Sequence, residues 1–152
     1  MRIFLDSNVL ISGIYSPVGA PYKILRLHLS ERLRIVVCQL VINEVIRNLK
    51  AQKPEGLPVL YRLLSNSPPE IAANPREEDV NIWKEYLDNE DAIILAAATH
   101  ARVDCFMTGD RHFHAAALKS QKLNLKILIP AEFVAAHKWA GKSAHNSLLT
   151  TG

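Results

Sequence analysis

Long apolar runs are missing from this chain: no segment approaches the ~20 residues that a membrane-spanning helix requires, so no span is expected. Cysteine is scarce, two residues in 152, and both Cys38 and Cys105 sit among apolar neighbours (VVCQLVI and DCFM). That context suits small buried hydrophobes better than ligands or nucleophiles, and it leaves no disulfide framework to be built. Aromatic residues make up only 7% and are not interleaved with the basic ones, which removes a stacking platform for single-stranded nucleic acid. Internal repeats and low-complexity tracts are absent. The first residues read as a strand, not as a basic stretch followed by an apolar signal segment, and the expected location is the cytoplasm. Neither sign of charge dominates: a net charge of +3 and a pI near 9.0 permit a polyanionic partner without requiring one.

A chain of this length, 152 residues, is expected to form one domain that buries roughly two-thirds of its unfolded surface. Short apolar runs alternate along it with amphipathic stretches. Ile3–Leu5, Arg34–Cys38, the EIAA stretch, Asp104–Asp110 and Leu125–Ile129 read as strands. Tyr22–Leu33, Gln39–Gln52, Val59–Leu64, Glu77–Leu87, Phe113–Lys122 and Ala131–Trp139 read as helices. Ala92–Ala98 has no polar residue at all, the composition of a helix buried in the domain centre. This alternation predicts an α/β fold with a mainly parallel sheet of four or five strands. Residues 1–139 form the expected domain, and residues 140–152 are small and polar enough for a loosely held tail.

Four acids stand out against this frame. Asp6 and Asp110 end short apolar strands; Glu44 falls about 60° from Val41 on its helix, at the shoulder of the buried stripe; Asp91 lies in the first turn of the buried helix. Each has a plain structural explanation. Asp6 can cap the next helix, with Ser7 and Asn8 as further capping candidates; Asp91 can pair with Asp88 in a capping arrangement; Asp110 can serve a turn after Gly109; Glu44 can be an exposed helix former. Together they say more. In an open parallel sheet ligands bind beyond the carboxyl ends of the strands, and carboxylates gathered there repel one another unless a cation joins them.

The ordered motifs FLDSNVLIS, INEVIRNL, NEDAIILAAA and FMTGDRHF resemble those of the PIN-domain family of metal-dependent ribonucleases, and the likeness runs from Met1 to about Phe133. The resemblance implies a Rossmann-like α/β/α sandwich. It also implies that Asp6, Glu44, Asp91 and Asp110 hold one or two Mg²⁺ or Mn²⁺ ions, with Asn8 and Thr108 as supporting polar residues. Many members carry another acid shortly after TGD, where this chain has His112. Small single-domain members include toxins of toxin–antitoxin pairs, so a cognate antitoxin and a homodimer are implied partners beside an RNA substrate.

The implied reaction is metal-assisted hydrolysis of an RNA phosphodiester. No convincing Ser-His-Asp or Cys-His set offers a different route. Arg47, Lys50 and Lys53 near Glu44, and Arg111 beside Asp110, place positive charge around an acidic centre, an arrangement equally compatible with a solvated basic face. His112 and His114 are read as surface residues, with contact to substrate phosphate or a metal as the alternative. Other functions stay open at this point: RNA processing or decay without a toxin role, a degenerate PIN-like binding module, and a haloacid-dehalogenase-like phosphatase. The last needs a DxD motif, and Asn8 stands where its second acid would act as acid and base.

Overall fold

Ile3, Phe4 and Leu5 have no exposed surface, as a strand covered by helices on both faces requires. The computed structural model describes residues 1–120 and 123–137. Its strands are β1 (Arg2–Leu5), β2 (Arg34–Val37), β3 (Glu70–Ile71), β4 (Cys105–Met107) and β5 (Ile127–Leu128). They form one five-stranded sheet in the order β3-β2-β1-β4-β5, and every pairing is parallel. Phe4 in the middle strand faces Val36 on one side and Phe106 on the other.

The helices are α1 (Ser7–Tyr15), α2 (Ala20–Leu29), α3 (Gln39–Gln52), α4 (Leu57–Asn66), α5 (Glu77–Trp83), α6 (Asn89–His100), α7 (Arg111–Ser120) and α8 (Pro130–Ala136). A 3₁₀ turn, Pro54–Gly56, precedes α4. From β1 the chain steps outward through β2 to β3, then returns across the sheet to β4 and β5. Because parallel crossovers are right-handed, this reversal divides the helices between the two faces. The packing follows: α1 lies against α2 and α3, α2 also takes α8, and α5 lies against α6. The result is the expected three-layer α/β/α sandwich.

Two contacts tie the layers together. Phe4, Phe106 and Phe113 stack edge to face, with centroids 5.5 and 5.0 Å apart, joining β1 and β4 to α7. On α1, Gly13 lets α2 approach: a Cβ there would lie 2.6 Å from the Leu25 side chain and 3.1 Å from the Pro21 carbonyl oxygen. At the sheet's edge, Arg2 forks onto Glu70, with Nε 2.9 Å and Nη2 2.6 Å from its two carboxylate oxygens, and so fastens β1 to the short β3.

Several boundaries differ from the sequence reading. Helix α2 stops at Leu29, not Leu33, because Glu31 turns the chain at φ 60° while the Glu31 and Arg32 amides donate to the His28 and Leu27 carbonyls. This is the glycine-type helix stop built on a glutamate, so the usual glycine signal is missing. The helix begun at Glu77 ends at Trp83, whose carbonyl accepts from both Tyr86 and Leu87 in a turn. Strand β4 is three residues long and EIAA contributes only Glu70 and Ile71. Asp6, rather than Ser7 or Asn8, is the cap of α1, and Ser7 is its first helical residue. The expected helix ends at Lys122 and Trp139, and the tail from residue 140, lie outside the described residues.

Candidate active site

The reversal of strand order falls between β1 and β4, and their carboxyl ends open a crevice of the kind in which doubly wound sheets bind ligands. Asp6 is the residue at that edge of β1. Its amide donates to the Met107 carbonyl at 3.1 Å, while its own carbonyl accepts from Val9 and Leu10 as α1 begins. The residue is 4% exposed. One oxygen accepts from the Ser7 amide at 2.8 Å, and the other from the Thr108 hydroxyl at 2.9 Å. Burial pushes the Asp6 pKa up; the Thr108 and Ser7 hydrogen bonds pull against it, and the nearby Asp110 charge adds to the rise.

Thr108 has no exposed surface and serves two acids. Its hydroxyl donates to Asp6 and accepts the Asp110 amide at 3.0 Å. Asp110 in turn accepts the His112 amide at 2.8 Å, opening α7, with the His112 ring Nδ1 3.2 Å from the same oxygen. The turn explanation and the site explanation of Asp110 are therefore compatible.

The buried character of α6 brings Asp91 to the same crevice from the other side. Asp88 caps the helix by accepting the Asp91 amide at 2.9 Å, which leaves the Asp91 carboxylate free to face Asp110. Its pKa is pushed up to about 6, first by burial and then by the charges of Asp88, Asp110 and Asp6, with His112 opposing. On α3, Glu44 is half-buried, as its place at the shoulder of the apolar stripe predicts. Burial raises its pKa, the Ser7 hydroxyl pulls it down, and the neighbouring carboxyls of Glu90 and Asp6 raise it again.

Asp6, Glu44, Asp91 and Asp110 thus line one cleft of about 380 Å³, together with Asn8, Ser7, Ile11 and the α3 residues Arg47, Asn48, Ala51 and Gln52. Thr108 lies beneath its floor. Of the cations considered from sequence, Arg47 lines the cleft; Lys50 borders the adjoining groove, and Lys53 lies over the Tyr15 ring, 4.1 Å from its centre. His114 instead bonds the Thr108 carbonyl at 3.1 Å.

The sequence reading misses two members of the site: it takes Ser7 for a cap and gives Glu90 no role of its own. It takes His112 for a surface residue, with metal contact as the alternative. Yet one ligand atom from each of Asp91, Asp110 and His112 falls within 4.8 Å of the others. The only signal for Ser7 and Glu90 was adjacency to acids already singled out. A donor set of carboxylate oxygens with one imidazole, gathered at one cleft with no cationic side chain of the described residues between them, fits a hard divalent cation.

A buried acid at the switch point of an all-parallel sheet, faced by acids from three other segments, places the chain in the class of Rossmann-like α/β/α proteins with an acidic crevice. Within that class the chain belongs to the PIN-domain family of nucleases: the family model described as PIN domain matches residues 2–112. The family expected from the four motifs is thereby confirmed. Among solved structures, the chain is similar to VapBC2 from Rickettsia felis, determined bound to a DNA fragment from its promoter. That likeness has a TM-score of 0.61 at 18% identity and covers 85% of this chain and 98% of the other. It is also similar to FitAcB from Neisseria gonorrhoeae, with a TM-score of 0.56 at 18% identity over 84% of this chain and 97% of the other. No curated protein sequence matches it. Among the described residues, no helix is long and apolar enough to cross a membrane.

Proposed function

We propose that this PIN-domain protein is a divalent-cation-dependent ribonuclease that hydrolyses RNA phosphodiester bonds. The observation that carries the reading is the convergence of Asp6, Glu44, Asp91 and Asp110 on one cleft, with the pKa of three of them, Asp6, Glu44 and Asp91, raised. Asp6, Asp91 and Asp110 are the residues that would hold one or two Mg²⁺ or Mn²⁺ ions, with Glu44 completing the site directly or through water. When bound, such an ion supplies activation of water and relief of negative charge at phosphorus. The chain's own residues supply the rest. Thr108 and Ser7 hold the Asp6 carboxylate in one orientation, and the Asp88 cap fixes the first turn of α6 so that Asp91 stays pointed at Asp110. Asn8 also lines the cleft from α1, and its amide is the further polar group we assign to the support of the first acid.

The test is cleavage of an unstructured RNA with Mn²⁺. Activity lost in Asp6→Asn and Asp91→Asn, with circular dichroism unchanged, supports the reading. Hydrolysis of p-nitrophenyl phosphate with none of RNA would move the site to phosphatase chemistry.

For biological role the reading is the toxin of a toxin–antitoxin pair, acting in the cytoplasm as a homodimer and restrained by a cognate antitoxin. The similarity to VapBC2 and FitAcB supports it. Induced expression with and without the adjacent reading frame tests the role, since growth unaffected in both cases removes it. Light scattering over a range of concentrations tests the dimer.

A further inference from the structure

The stripe of α3 that begins at Glu44 continues along the cleft as Arg47, Asn48, Ala51 and Gln52. These positions recur every three or four residues, so they share one face of the helix, and the row from Glu44 to Gln52 covers about 12 Å along its axis. Its character changes along the way: a carboxylate at the acidic centre, then a guanidinium and two amides. Among the described residues no other Lys or Arg lines the cleft, and Arg47 has no hydrogen bond or ion pair of its own. Lys53 is engaged with Tyr15, and Arg111 is not among the lining residues.

From this arrangement we infer that Arg47 is the specificity-determining clamp of the substrate backbone, gripping a phosphate next to the one that reaches the acids, with Asn48 and Gln52 bonding the adjoining ribose. The inference rests on the ribonuclease reading above and names how that site selects its substrate. A guanidinium presents a planar fork matched to phosphate oxygens, while amides both donate to and accept from a 2′-hydroxyl. Among the described residues no aromatic side chain lines the cleft, so the grip is on backbone rather than bases and tolerates many sequences. Asp6 lies buried at the cleft floor, and an unpaired strand can bend to bring one phosphodiester down to it, whereas the phosphates of a duplex are held on the outside of a wide helix. The occupant that fits this reach is unpaired RNA.

Kinetics and binding test this together. With a single-stranded RNA oligonucleotide, Arg47→Ala raises KM about tenfold, equivalent to ~1.4 kcal/mol, while kcat changes less. Arg47→Lys recovers only part of the loss, because an ammonium lacks the fork. The salt dependence of log(1/KM) becomes shallower by about 0.7, as the loss of one phosphate contact on a single strand requires. Lys84→Ala, which removes an equal charge away from the cleft, leaves both quantities in place. Binding is read by fluorescence anisotropy of the same oligonucleotide in an Asp91→Asn background, and Arg47→Ala weakens it by a similar factor. If wild-type protein cleaves RNA while Arg47→Ala matches it in KM, binding and salt slope, the clamp is overturned and the ribonuclease reading stands. Duplex RNA cut as readily as single-stranded RNA also overturns it. If wild-type protein neither cleaves nor binds RNA, the ribonuclease reading fails and takes the clamp with it.

Discussion

Replacing Thr108 by valine keeps its volume and removes one hydroxyl, the group that donates to Asp6 at 2.9 Å and accepts the Asp110 amide at 3.0 Å. A hydrogen bond to an ionised carboxylate contributes about 1.5–3 kcal/mol, and a buried amide left without an acceptor costs about 1–3 kcal/mol. Asp110 is only half-buried, so water relieves part of the second loss, and the sum is about 3 kcal/mol at pH 8. For a chain of 152 residues that corresponds to a fall in Tm of roughly 6–12 °C. The effect has a signed pH dependence. Burial already raises the Asp6 pKa, and losing the Thr108 donor raises it further. A carboxyl whose pKa is higher folded than unfolded binds its proton more tightly when folded, so its penalty is full above the folded pKa and fades as pH falls through it. Thermal melts of wild type, Thr108→Val and Thr108→Ser in chelator at pH 8 and pH 5 measure this. Thr108→Ser should stay near wild type. A Thr108→Val shift under 2 °C at pH 8, or one larger at pH 5 than at pH 8, would refute the account of how Asp6 is held.

Asp91, with its pKa pushed up to about 6, destabilises the cation-free fold as it ionises. Asp91→Asn should therefore be the more stable protein at pH 8 in chelator, by about 1 kcal/mol after allowance for solvent screening, and the advantage should shrink as pH falls through 6 towards 4. Adding Mn²⁺ should reverse the order by stabilising wild type, about 2.7 kcal/mol at a hundredfold excess over Kd; melts that ignore Mn²⁺ would count against a cation site. Gly13→Val drives a branched side chain into Leu25 and the Pro21 carbonyl and should cost about 2–3 kcal/mol in urea unfolding without altering Mn²⁺ binding. Near-wild-type stability there would mean that α1 and α2 separate more easily than their packing indicates.

What could be read in the sequence was whatever a periodicity or a bare apolar run encodes. The β1 run, the α3 stripe with Glu44 at its shoulder, and the wholly apolar centre of α6 each dictated an element and a direction for its acid, and all three appear in the structure. What escaped depends on contacts between segments. A glutamate at φ 60° ends α2 where composition offered no glycine. Ser7 and Glu90 enter the site through the rotation of α1, α3 and α6 about the cleft, which spacing within one helix does not specify. The same rotation distinguishes Arg47 from Lys50: three residues apart on α3, Arg47 stands on the border of the cleft and the groove beside it, while Lys50 lines the groove alone.

The hydrogen bond from Thr108 to Asp6 joins residues 102 positions apart, and β4 takes its place directly beside β1. During synthesis the amino-terminal half leaves the ribosome first, and its central strand waits with one edge unpaired until Cys105–Met107 arrives. The cleft floor is therefore closed only once β4 has been made and has paired with β1. A chain cut short before Thr108 lacks both Asp110 and the hydroxyl that holds Asp6, so it carries no half-strength version of the site.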